Sequence, residues 1–221
     1  MKTFLSLFIL IISLHIQAQT PGIKLGVQFT QDNISGNGFV AAEPSYFANR
    51  IDRDKFNFSM GFTAQFLTNS SFSLESGLLY SQKDFSSTYS CPNCLYMYLS
   101  SYIIAPQPVD IKNRFISIPF LVRYDLYGKK LSPIFEAGIN NNFLVNDGDF
   151  ERTKSAYMEG VLGLGLAYKF NKILSAELKY NYRKALTSVY DDTDMTYFID
   201  EDPNKQRTQS LQFAISYSLK R

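Results

Sequence analysis

From residue 22 to the end of the chain, apolar and small polar residues alternate with period two. Leu211, Phe213, Ile215, Tyr217 and Leu219 alternate with Gln212, Ala214, Ser216, Ser218 and Lys220. Phe56, Phe58, Met60, Phe62, Ala64 and Phe66 alternate in the same way with Asn57, Ser59, Gly61, Thr63 and Gln65. Such spacing gathers the apolar side chains on one face of a strand and leaves the other face polar. Eight segments carry the pattern, near 22–30, 56–66, 72–85, 114–125, 133–143, 157–170, 173–185 and 208–220. Most reach the roughly nine to eleven residues that a tilted strand needs to cross a bilayer. No stretch carries a helical period.

The links between segments fix the topology. Short links lie at 67–71, 126–132 and 171–172, and long ones at roughly 31–55, 86–113, 144–156 and 186–207, in strict alternation. Membrane barrels of the bacterial outer membrane are built this way, with tight turns on one side and long loops on the other. The expected fold is all-β: an eight-stranded antiparallel up-and-down transmembrane β-barrel with short periplasmic turns and long extracellular loops. It must be closed, because an open strand edge has no partner in lipid.

The two faces support that reading. Ile23, Leu25, Val27, Phe29, Ile116, Ile118, Phe120, Val122, Leu162, Leu164, Leu166, Leu174 and Leu178 form one set. Tyr80, Tyr124, Tyr168, Phe170, Tyr180, Tyr182 and Tyr217 fall in phase with them toward strand ends, where an aromatic girdle belongs. The opposite set holds Lys24, Lys83 and small residues such as Gly61, Gly138 and Gly163. It also holds Glu75, Arg123, Glu136, Glu159, Lys169, Glu177, Lys179 and Arg183, which are expected to form a charge network in the lumen. An eight-stranded barrel is just wide enough for its own side chains to fill. Paired acids and bases would then plug it, since an isolated buried charge is costly.

The chain opens with a secretion leader, expected over residues 1–18 and cleaved. Lys2 is followed by an apolar run from Phe4 to Ile16, with small Ala18 before Gln19. That run is too short for a membrane-spanning helix. The barrel domain is expected over 19–221. His15, inside the leader, is the only histidine, so the mature chain lacks the base of Ser-His-Asp and Cys-His catalysis and the commonest zinc ligand. Lys plus Arg number 22 against 20 for Asp plus Glu, a net charge of +2, which offers no field for a nucleic-acid backbone.

Ser73-Leu74-Glu75-Ser76-Gly77-Leu78-Leu79-Tyr80-Ser81-Gln82-Lys83, then Ile116-Ser117-Ile118-Pro119-Phe120-Leu121-Val122-Arg123-Tyr124, resemble the PorT-type outer-membrane β-barrel proteins of Bacteroidetes. Phe135-Glu136-Ala137-Gly138, Gly163-Leu164-Gly165-Leu166-Ala167-Tyr168-Lys169-Phe170 and Ala176-Glu177-Leu178-Lys179-Tyr180 continue the likeness in the same order. The resemblance implies an eight-stranded barrel whose namesake is associated with protein secretion. It implies outer-membrane lipid, the barrel-assembly machinery and secretion or surface-complex proteins as partners. Pro119, within a strand, is expected to sit at a bulge. Chains of this type finish on an aromatic residue, whereas this one ends Leu219-Lys220-Arg221.

Cys91-Pro92-Asn93-Cys94 stands in the long 86–113 link. In an oxidising compartment two cysteines this close most simply form a local disulfide; a redox or metal role and free thiols are the alternatives. Neither a cofactor nor a catalytic or metal-binding set is expected. The expected function is that of a non-enzymatic outer-membrane barrel, structural or part of a surface or secretion assembly. The alternatives are a barrel enzyme acting on lipid or peptide at the outer rim, and a soluble exported lipocalin-like binding barrel.

Overall fold

The computed structural model describes residues 22–35, 38–42, 47–53, 55–68, 71–90, 108–126, 130–146, 153–190, 196–197 and 206–219. The expected leader, residues 1–18, and Cys91 and Cys94, expected to form a disulfide, lie outside the described residues. Among the described residues thirteen strands follow one another: β1 (Ile23–Ser35), β2 (Gly38–Ala42), β3 (Phe47–Asp52), β4 (Asn57–Phe66), β5 (Phe72–Gln82), β6 (Phe85–Ser90), β7 (Pro108–Ile111), β8 (Arg114–Asp125), β9 (Leu131–Leu144), β10 (Ala156–Lys169), β11 (Leu174–Ala185), β12 (Thr196–Tyr197) and β13 (Arg207–Leu219). The eight long ones coincide with the eight alternating segments. They close as β1-β13-β11-β10-β9-β8-β5-β4, every neighbour antiparallel, with Ile23 opposite Leu219 where the first strand meets the last.

The alternation reads out directly as exposure. Phe62 is 70% exposed and its neighbour Thr63 only 5%; Leu162 is 63% exposed and Val161 5%. The molecule is therefore inside out relative to a soluble barrel, which sets aside the lipocalin-like alternative. Aromatic pairs stand toward both ends of the wall: Phe72 with Tyr124, ring centroids 4.7 Å apart, and Tyr168 with Phe170 at 5.1 Å beside the short turns, and Phe58 with Phe29 at 6.0 Å and with Tyr80 at 6.3 Å toward the long connections.

Local chemistry explains the short turns and the tight curvature. The Asn171 side chain accepts hydrogen bonds from the backbone N–H of Ile173 and of Leu174, both 2.7 Å, closing the turn that follows β10. At Gly138 and Gly61 the neighbouring strand comes so close that a Cβ would collide with the carbonyl of Phe120 or of Leu78.

Pro119 departs from expectation. No residue is inserted opposite it: the β8–β9 register runs unbroken from Phe115↔Leu144 to Asp125↔Ile134. On its other side the register of β5 with β8 is the same before and after, but pairing lapses between Leu79↔Ser117 and Ser76↔Phe120. Proline has no N–H to donate, so the ladder skips rather than bulges.

The long links also hold structure that their sequence did not announce. Strands β2, β3, β6, β7 and β12 form a second sheet in the order β12-β2-β3-β6-β7. It stands at the end of the barrel that carries the long connections, the extracellular end of such barrels.

Candidate functional site: the charged lumen and its lid

Inward positions of the barrel strands deliver polar and charged side chains into a space closed to bulk water, and they sort into two clusters. The lower one, toward the short turns, joins five strands. Arg123 of β8 reaches Glu177 of β11 at 2.7 Å and Asp125 at 2.8 Å. Lys179 of β11 contacts Glu136 of β9 at 2.7 Å and Glu75 of β5 at 3.3 Å. Gln65 of β4 donates a further hydrogen bond to Glu75, 3.0 Å. Longer contacts of Arg123 to Glu75 (3.7 Å) and Glu136 (3.8 Å), and of Lys179 to Glu177 (3.8 Å), tie all three glutamates to both cations. Apart from Asp125, these side chains are essentially buried, and only such mutual compensation makes that tolerable.

The upper cluster is made of pairs. Lys83 bonds Glu159 at 2.8 Å, and Arg183 bonds Asp32. Each carboxylate is then backed by neutral donors: Asn140 and Asn142 both donate to Glu159 at 3.1 Å, and Ser59 donates to Asp32 at 2.7 Å. Between the clusters, Asn181, Gln212 and Gln28 form a hydrogen-bonded chain across three strands (2.7 and 2.9 Å). A cavity of about 30 Å³ lies beside it, bordered by Leu79, Leu121 and Val161. That is room for one or two water molecules.

Above the upper cluster the lumen turns apolar. Phe85, Ile111, Phe115, Tyr157, Ala185, Val189 and Tyr190 pack into one buried group. Arg53, from the link between β3 and β4, lies over both the Phe85 and Tyr190 rings, 5.8 and 5.7 Å from their centroids. It donates to Gln206 at 2.7 Å and to the Tyr190 hydroxyl at 3.0 Å. An isolated bridge, Thr153↔Tyr190, fastens two of the long connections together over the mouth.

Of the charges expected in the lumen, Glu75, Arg123, Glu136, Glu177 and Lys179 meet in the lower cluster, and Glu159 and Arg183 in the upper one. Lys169 does not join them. It is in phase with the inward row, but it is the last residue of β10 and lies exposed beyond the rim. Asp32 was not anticipated, because its segment was expected to end at residue 30 whereas β1 runs to Ser35. The signal was present in the continued alternation of Thr30, Asp32 and Ile34, all buried.

The carboxylates of Glu75, Glu136 and Glu177 have oxygen atoms within 4.8 Å of one another, a spacing that could hold a cation. The Lys179 ammonium already fills that role, bonded to two of them and close to the third. The donor set therefore fits an internal lysine rather than a metal ion.

The sequence matches a family model, outer membrane protein beta-barrel domain, over residues 4–219. Among solved structures, the outer membrane protein OprG from Pseudomonas aeruginosa is similar at 14% identity and a TM-score of 0.50, covering 91% of this chain and 96% of that one. Neisserial surface protein A aligns at 11% identity and a TM-score of 0.49, covering 91% of this chain and all of the other. No curated protein sequence matches the chain.

Proposed function

Because the chain belongs to the outer membrane protein β-barrel domain family, we propose that this outer-membrane barrel works as a closed, non-enzymatic anchor that presents its extracellular sheet to a surface or secretion assembly. The observation that carries the reading is the filled lumen: two ion-pair clusters under an apolar lid, with a separate sheet standing beyond it. A barrel that conducted solutes would not place Arg123, Lys179 and Glu159 almost wholly buried across its bore. Among the described residues, the inward acids Asp32, Glu75, Glu136, Glu159 and Glu177 are each held by a lysine or arginine, which leaves the lumen no free acid–base pair for an enzyme. Within the family, the five ordered fragments from Ser73 to Tyr180 resemble those of the PorT-type barrels, and that likeness supports reading the chain as one of them. Export by the 1–18 leader and insertion by the barrel-assembly machinery complete the reading.

The test has two arms. In planar lipid bilayers the purified barrel should show no steady conductance; a stable open level would overturn the closed barrel. A photo-crosslinking residue at exposed Val109, on edge strand β7, should capture a discrete outer-membrane or secreted protein in cells of the source organism. Absence of any adduct there, with the barrel folded and surface-exposed, would overturn the anchoring role.

A further inference from the structure

Cations at the extracellular ends of the strands are treated in two ways. Arg114 is ion-paired with Asp84, and Lys55 with Asp110. Lys184 of β11 and Arg207 of β13 are direct cross-strand neighbours. Each is exposed between two buried residues, so both point out of the barrel wall. Neither forms an ion pair among the described residues. Two adjacent cations repel each other, an arrangement that costs stability unless an anion joins them.

Below them the same outward face continues through Tyr182, cross-strand from Leu162, which is in turn opposite Ala137. Here the wall is hollowed. Ala137 is the small residue in a concavity of about 500 Å³ walled by Val122, Leu162, Tyr180 and Tyr182. A cationic pair at the long-link ends of β11 and β13 and an apolar hollow beneath it share Tyr182 as their border.

We propose that Lys184 and Arg207, with the hollow around Ala137, form a binding site for one phosphorylated glycolipid of the outer leaflet, its phosphate on the two cations and an acyl chain laid past Tyr182 toward Ala137. Arginine and lysine suit the phosphate, and the hollow suits the chain. An unphosphorylated lipid would leave the cations unpaired, and free phosphate would leave the hollow unused.

The test is lipid retention by the full-length, folded barrel in detergent, read by native mass spectrometry. The probes are bisphosphoryl lipid A, the same lipid without its phosphates, and inorganic phosphate. Wild-type protein should hold one lipid A and neither of the other two at equal concentration. The double substitution Lys184→Gln with Arg207→Gln should weaken retention roughly tenfold or more. Exchange of the two cations, Lys184→Arg with Arg207→Lys, should restore it, and Ala137→Leu should weaken it with the charges intact. Only protein that keeps its heat-modifiable gel mobility is scored, so a folding defect cannot imitate the result. Equal retention of the dephosphorylated lipid, or no loss in the double glutamine variant, would overturn the site. Binding of inorganic phosphate as tight as that of lipid A would show a free-phosphate site and overturn the lipid assignment. An unchanged Ala137→Leu variant would overturn the seating of the acyl chain.

Discussion

The lower and upper halves of the lumen face the same difficulty, charge in a space without bulk water, and meet it differently. Below, three glutamates share Arg123 and Lys179, so each charge is compensated several times over and no single contact is indispensable to geometry. Above, Lys83–Glu159 and Arg183–Asp32 are separate pairs, each carboxylate supported by neutral amide or hydroxyl donors. Sharing concentrates dependence on the cations. Pairing with neutral support spreads it. A lost cation should therefore hurt far more below than above.

That contrast is most exposed at Lys179. Lys179→Met should leave Glu75 and Glu136 short of a counter-charge and cost about 3–5 kcal/mol in urea unfolding from lipid vesicles. A loss under 1 kcal/mol would mean that Arg123 alone suffices.

Both clusters also depend on an unbroken apolar wall around them. Ile118→Arg, on the outward face of β8, should cost ~2–4 kcal/mol in the same titration, and Ile118→Leu almost nothing. Matching behaviour of the two variants would show that residue 118 does not meet lipid.

In the upper cluster, Lys83→Met leaves Glu159 with Asn140, Asn142 and the Tyr157 hydroxyl as donors. The expected cost is about 1–3 kcal/mol, below that of Lys179→Met. Reversal of that order would erase the distinction between the two halves.

The smallest effect lies outside the membrane, in the second sheet. Hydrogen bonds from Lys55 and Ser86, with the Lys55 charge, hold the Asp110 carboxyl below its usual range. A depressed carboxyl stabilises the fold above its unfolded value, near pH 4, and loses that contribution as pH falls through its folded value. Lys55→Ala should raise the Asp110 titration midpoint, followed by carboxyl NMR, without moving the unfolding of the barrel. An unmoved midpoint would show that the pair does not form in solution.

The barrel wall was legible because alternation over nine or more residues admits one reading, and the bounds of β8 and β11 fell within a residue of the sequence segments. Inward charges were legible for the same reason: phase alone assigns them. Phase carries no information about height, which is why Lys169 was placed in a lumen it stands beyond. Nor could it pair residues, so the division of Glu177 and Glu159 between two clusters came only with the register. Strands β2, β3, β6, β7 and β12 are six residues or fewer, too short for a period to declare itself, and they were read as links. Pro119 misled because a missing donor can be met by skipping a pair as readily as by inserting a residue.

The pairing of β1 with β13, thirteen residue pairs from Ile23↔Leu219 to Ser35↔Arg207, sets an order of events. Every other barrel contact joins barrel strands that follow one another along the chain, and each can form as the chain is delivered. This one spans nearly the whole sequence, so its loop-closure entropy is the largest and it forms last. Until then β1 and β13 each present a free edge, and half-built wall has no stable place in hydrocarbon. Insertion and closure are thus one event, and a chain stopped short of residue 207 should arrive at the membrane as cargo that cannot be delivered.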